Sequence, residues 1–201
     1  MPPKIRYTPE RVLDAAYALV RASGPAALSA RNVAAALGCS TAPVFTQFRS
    51  MDELHEAVID RALAAFAAHV ARGVHTDPLV AAGLGMVQFA ADEPSLYAAL
   101  FLTKHPWAHK FGPLRRDLAR RLADHPRYAA LPDAARFGLV GRASVVVHGL
   151  GVEIWSGRLP DASAPTLTRY LEQLAGPMVD AALAHGWTQD IHALPRSEVR
   201  P

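Results

Sequence analysis

Apolar residues in this chain recur at helical spacing, and turn-forming residues cut the pattern into segments. Val12, Ala15, Ala16, Leu19 and Val20 fall three and four apart, predicting a first helix between Thr8-Pro9-Glu10 and Ser23-Gly24-Pro25. Thr8 suits the cap, proline is tolerated in the first turn, and Glu10 favours the positive end of the helix dipole. Ser29 caps a short second helix, Ala30 to Leu37, which Gly38 closes in the left-handed conformation at no steric cost. Ser40 is placed to cap a third helix through about Phe48, with Pro43 in the first turn, where the backbone N–H has no intrahelical acceptor. Ser50-Met51-Asp52-Glu53 reads as a capping box that opens a long fourth helix to about Arg72.

The same punctuation continues. Thr76-Asp77-Pro78 starts a helix ending near Asp92-Glu93, and Pro94-Ser95 starts another through Leu102. Thr103 to Gly112 reads as an irregular connection, and Pro113 to about His125 as an arginine-rich helix. Pro132-Asp133 begins a long apolar helix to about Ser156; after a loop, Thr166 to His185 forms the last helix, kinked by Pro177. The expectation is an all-α chain of about nine helices: a three-helix domain over 1–50, the fourth helix over 51–72 as connector, a helical body over 73–187 and a flexible tail over 188–201.

Composition agrees with that picture. Of 201 residues, 39 are alanine, a strong helix former, and the 51% hydrophobic content with 19% charged residues excludes disorder as a class. The single cysteine, Cys39, excludes an internal disulfide and a cysteine zinc cage. The N-terminal residues lack the apolar core of a signal peptide, and Ala143 to Trp155 is shorter than the roughly 20 residues of a spanning helix. A cytoplasmic protein with no membrane partner is expected. Charge adds a clue: residues 1–50 carry six basic side chains against two acidic ones, whereas the remainder carries fifteen against sixteen. A basic head on a near-neutral body suits either a polyanion-binding module or a plainly solvated surface.

Two short helices joined by Leu37-Gly38-Cys39-Ser40 favour the binding module, with a plain three-helix core as the other reading. A helix-turn-helix needs a small residue where its helices cross, a residue tolerant of positive φ in the turn, and an apolar face that pins the third helix. Ala34, Gly38, and Val44 with Phe48 supply these at the required offsets. No G-x-S-x-G elbow, phosphate-binding glycine loop or H-E-x-x-H is present, so an enzyme is not expected. His105 and His109 are four apart but separated by Pro106 and lack an adjacent acidic ligand, so neither a metal nor another cofactor is expected. Cys39 is either a packed small hydrophobe or a redox-sensing thiol.

The runs Arg11-Val-Leu-Asp-Ala-Ala, Gly24, Leu28-Ser-Ala-Arg31-Asn-Val-Ala-Ala-Ala-Leu-Gly38 and Val44-Phe-Thr-Gln-Phe48-Arg-Ser-Met-Asp-Glu-Leu54 keep order and spacing over roughly residues 8–60. In them the chain resembles the N-terminal domain of the TetR family of transcriptional regulators. Val147-His148-Gly149-Leu150, with Glu153 and Trp155, resembles a Trp-His-Gly subgroup of that family, with valine in the tryptophan position. The resemblance implies a homodimer through the last two long helices, bound to palindromic double-stranded DNA and released by a small-molecule effector. Two positions depart from the family's pattern: Phe45 replaces a phosphate-contacting tyrosine, and Met51 a phosphate-contacting lysine. Backbone contacts then shift onto Arg49 and Arg31, or the chain is a helix-turn-helix scaffold that has lost DNA and acts as a small-molecule-binding or interaction protein.

On the regulator reading, Ser40 to Gln47 enters the major groove. Thr41, Ala42, Pro43, Thr46 and Gln47 face base edges and nearby backbone beside Phe45. Gln47 suits adenine, while Ala42 and the Thr46 methyl suit a thymine methyl. Lys4 and Arg6 either reach the DNA from an N-terminal arm or form a solvated tail. The small residues of the penultimate helix, Gly138, Gly141, Ala143, Ser144, Gly149 and Gly151, permit either close helix approach or room for a ligand. Phe66, Phe89, Tyr97, Phe101, Trp107, Phe111, His148, Glu153 and Trp155 are the candidate lining of an effector cavity, with plain core or dimer interface as the other reading for each.

Overall fold

A computed structural model describes residues 7–104 and 106–188. The fold is all-helical, with no strand among the described residues: α1 (Pro9–Ser23), α2 (Ala30–Leu37), α3 (Ala42–Gln47), α4 (Met51–Arg72), α5 (Pro78–Asp92), α6 (Pro94–Tyr97), α7 (Gly112–Leu122), α8 (Asp133–Trp155) and α9 (Ala164–His185). Single 3-10 turns occupy Pro25–Ala27 and Ala108–Phe111, and a π turn, Ala98–Leu102, extends α6. Lys4, Arg6, His105 and the tail beyond 188 lie outside the described residues.

The chain divides into two compact units. Residues up to Phe66 together with Asp92–Trp107 form the first; Ala67–Ala91 together with residues from Ala108 onward form the second. The first therefore takes in most of the expected connector, residues 51–66 of 51–72, and a segment from the middle of the chain, which no local pattern announced. Val12, Ala16 and Val20 of α1 are buried with Val33 and Ala34 of α2, Val44 of α3, and Leu54, Val58 and Ile59 of α4. The returning segment adds Leu96 and Tyr97, also buried, and Glu93 receives the Arg21 guanidinium from α1, Nε to Oε2 at 2.7 Å. Phe66 and Phe101 meet edge-to-face at 5.2 Å, and Tyr97 lies 4.9 Å from Phe101.

The second unit is built on α5, α7, α8 and α9, with Leu79, Leu122, Tyr128, Leu131, Leu139, Val140 and Val179 in one apolar cluster. Three glycines let backbones touch: a Cβ on Gly73 would sit 1.8 Å from the Ala81 carbonyl oxygen, one on Gly85 of α5 2.3 Å from the His69 carbonyl oxygen of α4, and one on Gly138 of α8 2.2 Å from the Trp187 carbonyl oxygen. Asp77, buried to 4% exposure, organises the start of α5. Its Oδ1 accepts from the Leu79 N–H at 2.9 Å and the Tyr128 hydroxyl at 2.6 Å, and its Oδ2 from Arg127 at 2.6 Å. A buried carboxylate is stable only when so surrounded. The sequence places a helix start at Thr76-Asp77-Pro78 but carries no signal for the two distant partners of Asp77.

Helix α8 is longer than the apolar stretch singled out in the sequence. Its 23 residues, with a mean hydropathy of 1.3 over the most apolar window, are long and apolar enough to cross a bilayer by length and composition. Here the helix forms core instead: Leu139 is fully buried, and Arg136 on the same helix donates to the Leu131 carbonyl and the Asp133 carboxylate.

Candidate nucleic-acid interface

The candidate interface is built by α1, α2 and α3, and local chemistry sets each boundary. Thr8 Oγ1 accepts from the Arg11 N–H at 3.3 Å, and Ser29 Oγ from the Asn32 N–H at 3.2 Å, so both expected caps form. Asn32 also donates through Nδ2 to the Ala27 carbonyl at 2.8 Å, tying α2 to the turn before it. At the other end Gly38 adopts φ 65°, ψ 41°; its N–H reaches the Ala35 carbonyl at 3.1 Å and the Cys39 N–H the Ala34 carbonyl at 3.0 Å. That pair of bonds is the Schellman closure, and it turns the chain sharply into α3.

The start of α3 differs from the sequence expectation. Ser40 does not cap it: Thr41 holds the N-cap position in a helical conformation, φ −71° and ψ −17°, and no side chain bonds the first turn. Side-chain capping needs the extended backbone that Thr8 and Ser29 have, and Pro43 removes one donor that would need a cap. Ser40 and Thr41 are exposed, leaving their hydroxyls on the outer surface.

Burial sorts the rest of α3 by helical geometry. Val44 and Phe48 are buried, pinning the helix to the unit. Ala42 and Thr46, one turn apart, occupy the middle of the opposite face and are exposed; Phe45 flanks them at 48% exposure, and Pro43 and Gln47 are half-buried at the edges. The Thr46 hydroxyl donates to the Ala42 carbonyl at 2.9 Å. Arg31 on α2 and Arg49 just past α3 are exposed to either side. All the DNA-facing candidates within the described residues thus lie on or beside one short helix.

The junction after α3 is stapled. Ser50 Oγ accepts from the Glu53 N–H at 3.1 Å, as a capping box requires, but the Glu53 carboxylate accepts from the Arg49 N–H at 2.7 Å instead of returning to Ser50. The Arg49 backbone N–H, and after it the guanidinium, hold the Glu53 carboxyl below the usual range. Beside this junction lies an open recess of about 510 Å³ lined by Arg49, Ser50, Asp52, Glu53, Glu56, Pro106 and Trp107.

The effector candidates are distributed differently from the interface residues. Phe66, Tyr97, Phe101 and Trp107 belong to the first unit, and Phe89, Phe111, His148, Glu153 and Trp155 to the second. In the first, Phe66, Tyr97 and Phe101 pack on one another as core, and Trp107 borders the recess. In the second, Phe89 is fully buried against the His69 ring at 5.1 Å, and Phe111 is half-buried. His148 is half-buried, and burial pushes its pKa down. Glu153 is paired: Arg158 binds it through Nε at 3.0 Å and Nη2 at 2.7 Å, lowering its pKa. Trp155 is 43% exposed.

Charge is also redistributed by the fold. Once residues 51–66 and 92–107 join the first unit, its sequence carries eight basic and eight acidic side chains. The basic bias of the first fifty residues is therefore offset within the unit by the acidic residues of those two segments.

The geometry is that of a helix-turn-helix domain attached to a second helical unit. Residues 12–58 match the family model described as bacterial regulatory proteins, tetR family. Among solved structures, the chain is similar to a TetR-like transcriptional regulator from Rhodococcus sp. RHA1, with a TM-score of 0.56 and 19% identity over 88% of this chain and 95% of that one. No curated protein sequence matches the chain. The fold is thus TetR-like, with a tetR-family domain over residues 12–58.

Proposed function

We propose that this protein is a TetR-like transcriptional repressor that binds a palindromic DNA operator as a homodimer and is released by a small apolar or aromatic effector. The observation that carries the reading is the outward face of α3: a short helix pinned by Val44 and Phe48, set by the Gly38 turn, with Ala42, Phe45 and Thr46 exposed and Arg31 and Arg49 beside it. Phosphate contacts from the arginines, Ser40 and Thr41 fix register, while the face of α3 meets base edges; Gln47, half-buried, reaches them from the rim. Lys4 and Arg6 extend the contact from the N-terminal arm. The protein acts by binding and not by catalysis.

Dimerisation through α8 and α9 is supported by apolar surface on those helices. Val145, Val146 and Tyr170 are 49%, 39% and 49% exposed, and Gly149, a turn beyond the valines, has no atom within 4 Å of a built Cβ. A two-fold pair places its recognition helices about 34–36 Å apart. The effector is bound within the second unit, where half-buried His148 and Phe111 and partly exposed Trp155 are the candidates left outside the core, and it favours a dimer geometry whose reading heads no longer match the groove spacing.

The test is selection of a preferred duplex from a random pool by the purified protein, followed by titration of the winner between low and physiological salt. A palindrome with half-sites about one helical turn apart, and affinity that falls with salt, is the expected result. A folded protein that enriches no sequence would overturn it and leave a scaffold that has lost DNA.

A further inference from the structure

The reading face of α3 offers few hydrogen-bonding groups. Its centre is the Ala42 methyl and the Thr46 side chain, and its exposed flank is the Phe45 ring. The one hydroxyl at the centre spends its proton on the Ala42 carbonyl at 2.9 Å, a bond that Thr46 makes within its own helix. Pro43 on the other flank has no side-chain polar atom, and Gln47 is withdrawn to the half-buried edge. A major-groove helix identifies bases through donors and acceptors or through apolar contact with the pyrimidine 5-methyl group, the one apolar feature in that groove. Here the first route is left to Gln47 at the rim, and the centre of the face is apolar.

We infer that α3 specifies its half-site through pyrimidine 5-methyl groups packed against Ala42, Phe45 and Thr46, so that thymine and 5-methylcytosine are read alike and uracil and cytosine are both discriminated against. This rests on the DNA-binding reading above and adds the chemical feature that is recognised. It also makes binding responsive to cytosine C5 methylation wherever a cytosine falls under this face. The exposure of Phe45 follows from the same logic: an aromatic ring left half in water on a helix otherwise pinned by Val44 and Phe48 gains by covering a methyl group.

The experiment uses the full chain and the duplex it selects. At each pyrimidine of the half-site, two matched pairs of duplexes are compared: T·A against U·A, and 5-methyl-C·G against C·G. Within each pair only one methyl group changes, and no hydrogen-bonding atom does. At one or more positions under α3, removing the methyl is expected to weaken binding about fourfold in both pairs, the equivalent of ~0.8 kcal/mol for one buried methyl-sized group. Phe45→Ala, a change at a half-exposed side chain, is expected to shrink that methyl effect at one position while leaving it at the others.

Equal affinities within both pairs at every position would overturn the inference. So would a pattern in which T and U bind alike, cytosine and 5-methylcytosine bind alike, and the two groups differ: that is readout at the 4-position, with the Thr46 oxygen accepting from cytosine N4 or its hydroxyl leaving Ala42 to donate to O4. Failure of the underlying reading looks different, because then no duplex is enriched in the first place.

Discussion

Gly38 shows how one residue can govern the interface without touching DNA. No heavy atom lies within 4 Å of a Cβ built there, so space does not require glycine; the backbone at φ 65° does. An L side chain in that conformation costs about 1–2 kcal/mol. Gly38→Ala is therefore expected to lose about that much stability in urea denaturation while keeping helical circular dichroism, and a loss below about 0.3 kcal/mol would contradict the strained-turn account. Tyr128 illustrates a second mode of action. Its hydroxyl donates to buried Asp77 at 2.6 Å, and burial, with that carboxylate next, pushes its pKa up. Hydrogen bonds to a charged group contribute more than neutral ones, so Tyr128→Phe is expected to cost about 1.5–3 kcal/mol in the same assay. A neutral outcome would mean that Arg127 and the backbone amides satisfy Asp77 on their own.

At the scale of the element, helix ends carry more information here than helix interiors. The caps of α1 and α2 and the closure of α2 are local, and each sits where residue type alone places it. The junction of α3 and α4 is held differently, by Glu53 reaching back to Arg49. Because the folded-state pKa of Glu53 is lowered, this contact stabilises the fold above the ordinary glutamate range and is lost as the pH falls through it, around pH 4.3. The melting temperatures of wild type and Glu53→Gln are expected to differ at pH 6 and to converge by pH 3. A constant gap across that interval would show that the carboxylate's charge is not what holds the junction. The close approach of α5 to α4 at Gly85 is the opposite case, an interior position where the partner helix decides the residue.

At the scale of the whole molecule, the distribution of charge limits how DNA would be held on the proposed reading. With eight basic and eight acidic side chains in the sequence of the first unit, attraction would come from a few well-placed cations and not from a general field. Arg31 is the clearest of these, exposed in the first turn of α2. Each phosphate contact contributes about 0.9 to the slope of log affinity against log salt. Arg31→Ala is thus expected to flatten that slope by about 1 per reading head, about 2 for a dimer, and to weaken binding evenly across operator variants. An unchanged slope would remove Arg31 from the phosphate contacts. A change in the preferred sequence would make it a base reader.

The sequence alone determined what depends on neighbours along the chain. Helical periodicity, the Thr8 and Ser29 caps and the left-handed Gly38 are set by interactions within four residues, so the three-helix head and its family resemblance could be read directly; of the expected face Thr41, Ala42, Pro43, Thr46 and Gln47, packing leaves Pro43 and Gln47 half-buried and exposes Phe45 instead. The Ser40 cap could not, because it hinges on whether the backbone before α3 is extended or already helical, and packing of Val44 and Phe48 sets that. Only the tertiary structure decided where long-range partners meet. The return of residues 92–107 to the first unit, the Arg21–Glu93 pair, the Asp77–Arg127–Tyr128 cluster and the separation of the aromatic candidates between two units join residues tens of positions apart. Those pairings are fixed by burial and charge neutralisation in three dimensions, for which the spacing of residues along a chain holds no signal.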